Sequence, residues 1–114
     1  TKTDAMKSGS ALVQVEIPSL STRAIDGKTI FDTSCAKCHG ENAAGVDGAG
    51  PPLVHIIYEP NHHADIAFYM AVQQGVRAHH WRFGDMQPVH GVTKTDVTKI
   101  IAYVRELQRA NGID

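Results

Sequence analysis

Cys35-Ala36-Lys37-Cys38-His39 holds both cysteines of the 114-residue chain, with an imidazole directly after the second. Three chemistries compete for this pattern. A C-x-x-C pair acts as a dithiol redox centre when it follows a strand in a βαβ unit, and no such unit is readable here. It forms half of a zinc site when a second pair completes four ligands; the chain has no further cysteine, and His39 is poorly placed as a third ligand. C-x-x-C-H is also the attachment signature of a c-type haem. The two thiols then add across the haem vinyl groups, the two-residue gap matches the vinyl spacing, and His39 lies under the iron as proximal ligand. Five residues alone match by chance, so the surroundings must decide.

The chain's length fits one domain. A domain this small buries only part of its apolar surface, and a haem would add an apolar disc to wrap. Aromatic residues make up 6% of the chain, which such a core tolerates without demanding it. Eleven basic and twelve acidic residues give a net charge of −1. No basic stripe points to nucleic acid, and no polybasic run points to a membrane surface. No apolar run reaches the roughly 18 residues of a membrane span. No signal peptide is visible, and the N-terminus reads as that of a processed or trimmed chain.

Working outward from the motif, residues 1–25 form an N-terminal extension or arm, and residues 26–114 the domain proper. Leu12-Val13-Gln14-Val15-Glu16-Ile17 alternates apolar and polar until Pro18, as a short strand, an extended arm or a loosely ordered leader would. Asp26 is the candidate N-cap of a first helix that runs into Cys35, with Ile30 and Phe31 on its apolar face. Residues 40–53, with Gly40, Gly45, Gly48 and Gly50 ahead of Pro51 and Pro52, read as a loop. A second helix is expected over 62–74, capped by Asn61 and stopped by Gly75. Thr93 starts a last helix with Asp96 in a capping-box position. Val97, Ile100, Ile101, Val104 and Leu107 form its apolar stripe, and Gly112 follows its end. The pattern is three main helices, no confident sheet and long loops, and loops this long need a function or a cofactor to organise them.

The surroundings of the motif resemble the class I c-type cytochromes residue by residue. In that family a glycine and an aromatic stand eight and four residues before the first cysteine, as Gly27 and Phe31 do here. A Gly-Pro-x-Leu segment follows the haem histidine, matched by Gly50-Pro51-Pro52-Leu53. Ile100-Ile101-Ala102-Tyr103-Val104 matches the family's C-terminal helix. The resemblance covers residues 26 to 110 and leaves residues 1–25 unmatched. It implies an all-α fold, three main helices and long loops wrapped around one covalent haem c with its iron. It further implies that the Pro51 carbonyl accepts a hydrogen bond from His39, and that Tyr103 and Ile100 meet Gly27 and Phe31. Phe31, Cys35, Cys38, Pro51, Leu53 and Tyr103 are thus the expected cofactor-binding set.

The family's usual sixth ligand is a thioether. Met86, in Phe83-Gly84-Asp85-Met86-Gln87-Pro88 before the last helix, stands where the family's methionine does, although Gln87 separates it from the proline that often follows directly. His39 and Met86 are the expected iron ligands, with His79 and His80 as rivals. Met70 reads as core filler on a helix and Met6 as part of the leader. Trp81 and Arg82 are the candidate donors to the haem propionates, with Arg77 behind them. The adjacent pairs His62-His63 and His79-His80, with His55 and His90, read as surface histidines rather than a second metal site.

The implied function is one-electron transfer, with exchange at the haem edge through small transient contacts with redox partner proteins. Nucleic acid is not among the expected partners, no membrane span is expected in this chain, and the chain is expected as a monomer or in transient complexes. An electron-transfer subunit or clipped domain of a larger periplasmic oxidoreductase is the alternative, kept open by residues 1–25. A haem-based small-ligand sensor is a third reading. No separate acid–base constellation suggests an enzyme. The resemblance implies export and haem attachment on the periplasmic side.

Overall fold

The computed structural model describes residues 11–61, 63–77 and 85–113. Four α-helices follow one another: α1 (Thr22–Ser34), α2 (Ala36–His39), α3 (Asp65–Gln74) and α4 (Lys94–Ala110). Single 3₁₀ turns lie at Glu41–Ala43 and Ile56–Tyr58. Among the described residues no strand forms; the only sheet-like pairings are isolated bridges, Val46 with Gly50 and Val76 with Met86. The three long helices are those the sequence leads one to expect, and α2 is the attachment motif itself, one turn continuing from α1.

α1 starts at Thr22, a turn earlier than Asp26 suggests. Ser21 is the N-cap, and its hydroxyl accepts from the Ala24 amide at 3.1 Å. The same hydroxyl donates to Glu106 Oε2 at 2.6 Å, and the Ser21 amide donates to Glu106 Oε1 at 2.9 Å. A carboxylate from α4 therefore holds the cap, and Asp26 lies inside the helix, with its carboxylate 4.0 Å from Lys99 Nζ. Residues 11–20 lie along the domain without forming a strand. The Leu12 and Val13 amides both donate to Ala44 O, and Glu16 exchanges two hydrogen bonds with the Asn111 side chain. Val15 and Leu20 pack against the main core.

That core sits where α1 crosses α4. Gly27 is obligatory there, because a Cβ would lie 1.9 Å from Lys99 O. The near contact of two backbones brings Phe31 and Tyr103 together, both fully buried, with ring centroids 5.5 Å apart at 60°. Ala24, Val54, Ile100, Val104 and Leu107 complete this cluster. α4 begins as expected: Thr93 Oγ1 accepts from the Asp96 amide at 3.1 Å, and Asp96 Oδ2 accepts from the Thr93 amide at 3.0 Å. Its apolar stripe is buried throughout, but Arg105 and Gln108 are buried with it.

α3 starts at Asp65, three residues later than expected, behind Ala64, which supplies no side-chain cap. Asn61 stays outside the helix because the preceding segment is committed elsewhere: the Tyr58 and His63 carbonyls accept from Arg105. Gly75 ends α3 with φ 77°, its amide donating to Ala71 O. Met70 is not core filler. It is 50% exposed, and Ile66, one turn earlier, is also exposed, so α3 buries mainly Val72 with parts of Phe68 and Tyr69.

Candidate haem-binding site

A cavity of about 450 Å³ opens between α1, α3 and the loops, with mostly apolar walls. Phe31 and Cys35 from the end of α1, His39 from the end of α2, and Pro51 and Leu53 from the glycine-rich loop line one part. Ala67, Phe68, Met70, Ala71 and Val72 of α3, with Val97 and Ile100 of α4, line another. Tyr58, His63, Gln74, Gly75, Val76, Arg77 and Met86 complete it.

His39 is held by its second nitrogen. Nδ1 and Pro51 O are 2.9 Å apart, so Nδ1–H donates to the carbonyl and Nε2 keeps its lone pair. Burial lowers the pKa of the ring, and the Pro51 bond opposes that shift. The neutral imidazole with a basic Nε2 is the form a metal takes. Phe31 flanks it, with ring centroids 6.5 Å apart.

Cys35 is half-buried on the cavity wall, whereas Cys38 is exposed. Burial, and secondarily Cys38, pushes the Cys35 thiol up to about 11. A dithiol redox centre of this motif follows a strand in a βαβ unit, whereas here the pair sits at the junction of α1 and α2 and no strand forms among the described residues. Among the described residues no three His, Cys, Asp or Glu side chains gather as a metal cage.

Met86 reaches the same cavity through a two-bond clip. The Val76 amide donates to Met86 O at 2.9 Å, and the Met86 amide donates to Val76 O at 2.7 Å. Gly75 makes room for this, since a Cβ there would lie 2.3 Å from Met86 O. The next turn is anchored by Val89, whose amide donates to Val72 O. Gln87, between Met86 and Pro88, fits within this run.

Of the expected site residues that are described, Cys38 and Tyr103 do not line the cavity. Tyr103 backs Phe31. Its hydroxyl is buried without a hydrogen-bond partner among the described residues. Burial, then the charges of Asp32 and Glu41, raise its pKa. Trp81, Arg82, His79, His80, His62 and Met6 lie outside the described residues, and Arg77 is on the wall.

His63 and Tyr58 were not anticipated on the wall. His63 Nδ1 lies 2.6 Å from Ile57 O, and its ring stacks at 4.8 Å on Tyr58. Behind them stand Arg105 and Gln108. Two polar residues at the apolar spacing of α4 were the available signal. His63, one of an adjacent pair in a loop, offered none.

The donor set fits a covalently held haem: a thiol, an imidazole presented by a backbone carbonyl, and a thioether, on apolar walls. The helices and this site define a c-type haem module. The sequence profile of the family described as "Cytochrome c" matches residues 24–108, and the chain belongs to that family. Among curated proteins it is 38% identical over 64 residues to a "Cytochrome bc1 complex cytochrome c subunit" of Mycobacterium bovis, covering 54% of this chain and 20% of that protein. It is 41% identical over 49 residues to the protein of the same name in Mycobacterium leprae, covering 43% and 14%. It is 45% identical over 49 residues to a "Cbb3-type cytochrome c oxidase subunit CcoP" of Azospirillum brasilense, covering 33% and 17%. The match spans a fifth or less of the length of each of these relatives.

Proposed function

We propose that this chain is a one-electron carrier module that holds a single haem c through thioethers at Cys35 and Cys38, with His39 Nε2 and Met86 Sδ as iron ligands. The observation that carries this reading is the pairing of His39 Nδ1–H with Pro51 O in the cavity to which the Val76 clip brings Met86. When bound, the haem supplies the Fe(II)/Fe(III) couple. His39, held by Pro51, keeps one orientation and one tautomer in both states. Phe31, Leu53, Val72, Val97 and Ile100 exclude water and so favour the less charged ferrous site. A haem iron held by both His39 and Met86 would leave a substrate no access to it, so the module would carry electrons without itself transforming a substrate.

The relatives' printed names support a second setting for the same chemistry, as the electron-transfer segment of a larger oxidoreductase complex. Among the described residues no helix is long and apolar enough to cross a membrane, so this segment would work beside the membrane part of such an assembly. The family resemblance supports attachment of the haem on the periplasmic side after export, with redox proteins as donor and acceptor. A sensor requires a labile sixth position. Carbon monoxide added to the ferrous protein tests this: refusal supports the carrier, and rapid binding supports the sensor. A far-red sulfur-to-iron band in the ferric form, lost in Met86→Ala, tests the ligand set; its survival in that variant rules Met86 out.

A further inference from the structure

We propose that Arg105 and Gln108 of α4 are positioning residues that hold one wall of the haem cavity and thereby set the midpoint potential; this rests on the carrier reading above. Arg105 is 6% exposed and Gln108 1%. Arg105 Nε donates to Asp65 Oδ1 at 3.0 Å, Nη1 to Tyr58 O at 2.7 Å and to Gln108 Oε1 at 2.8 Å, and Nη2 to His63 O. Gln108 Nε2 donates to Leu53 O and to Tyr58 O, both at 2.9 Å. The three carbonyls held in this way belong to Leu53, Tyr58 and His63, and each of these residues lines the cavity. Phe68, over whose ring the guanidinium sits at 4.9 Å, lines it too.

A buried guanidinium is costly unless its donors are matched, and here four of its five N–H groups are engaged. Neither side chain lines the cavity. Four of their six bonds go to backbone carbonyls of residues 53–63, a segment whose described residues contain one 3₁₀ turn. Bonds within the segment, such as His63 Nδ1 to Ile57 O, hold it to itself, and those from Arg105 and Gln108 hold it to α4. Water entry on that side stabilises the more highly charged ferric site and lowers the potential.

Two variants separate position from charge. Arg105→Lys keeps the cation but cannot fork between Asp65, Tyr58 O and His63 O. Gln108→Met changes no charge and removes both donors. Each holoprotein is titrated potentiometrically, and amide hydrogen exchange is followed across the chain. In both variants the ratio of reduced to oxidised protein at a fixed ambient potential is expected to fall by about threefold or more, a tenfold change being about 59 mV for one electron. Exchange should accelerate at the amides of Tyr58 and His63 while α1 and α4 stay protected. Absorbance of the attached haem in each sample checks the carrier reading separately. With the haem present, potentials equal to the parent's, whatever the loss of thermal stability, overturn the proposal. So does a shift confined to variants that remove the charge, such as Arg105→Met.

Discussion

Gly27→Ala places one methyl group where α1 crosses α4. The added Cβ would lie 1.9 Å from Lys99 O and 2.5 Å from the Lys99 carbonyl carbon, whereas ordinary contact begins at 3.4 Å. These are backbone atoms, so no rotamer relieves the clash, and the helices must part locally by about 1.5 Å. A gap of 0.5–1 Å already forfeits about a quarter to a half of a dispersion contact. The contacts at risk include the Phe31–Tyr103 pair and Ile100. We therefore expect a loss at the top of the overpacking range, about 3 kcal/mol. With an unfolding entropy of about 2.1 cal/mol/K per residue over 114 residues, that lowers Tm by about 12 °C. Thermal melts of the ferric holoprotein followed in the far ultraviolet measure it, with Ile25→Ala on the exposed side of α1 as control. The sign is diagnostic. Alanine in an unconstrained helix position gains roughly 0.5–1 kcal/mol over glycine, so an unchanged or raised Tm would refute the close crossing.

Thr93→Ala removes one half of the α4 capping box and should cost about 1 kcal/mol, a drop of roughly 4 °C in Tm, with the redox potential unchanged. His39 is held below its ordinary value of 6.5 chiefly by burial, which keeps the ring neutral and its Nε2 lone pair free for a metal. Met86→Ala should keep the covalent haem, lower the potential and admit carbon monoxide to the ferrous form, as absorption spectra and a redox titration will show.

The fold was largely legible because its decisive features are local or single-residue. The attachment motif, the Thr93–Asp96 box and the stripe from Val97 to Leu107 each declare themselves in a short window. Gly27, Phe31 and Tyr103 do so through spacing, and the structure brings the three together at one crossing. What sequence misplaced depends on distant partners. Ser21 outcompetes Asp26 as a cap because Glu106, 85 residues away, grips it. α3 starts late because Arg105 takes the carbonyls of Tyr58 and His63. Met70 has helical spacing suited to a core, yet it is half-exposed and lies on the cavity wall. In the site, Cys35, His39, Pro51, Leu53 and Met86 share one cavity, while Tyr103 stands behind it. Arg105 and Gln108 escaped notice because a polar side chain on an apolar stripe has no readable partner until the loop is folded over it.

The central claim, a one-electron carrier with a covalent haem held by His39 and Met86, is tested most directly by spectropotentiometry of the purified holoprotein. The account predicts a haem that stays with the chain on acid–acetone extraction. It predicts a single one-electron Nernst transition, and a far-red ferric band that vanishes in Met86→Ala. A haem that extracts freely, or a ferric spectrum without that band in the parent protein, would contradict it.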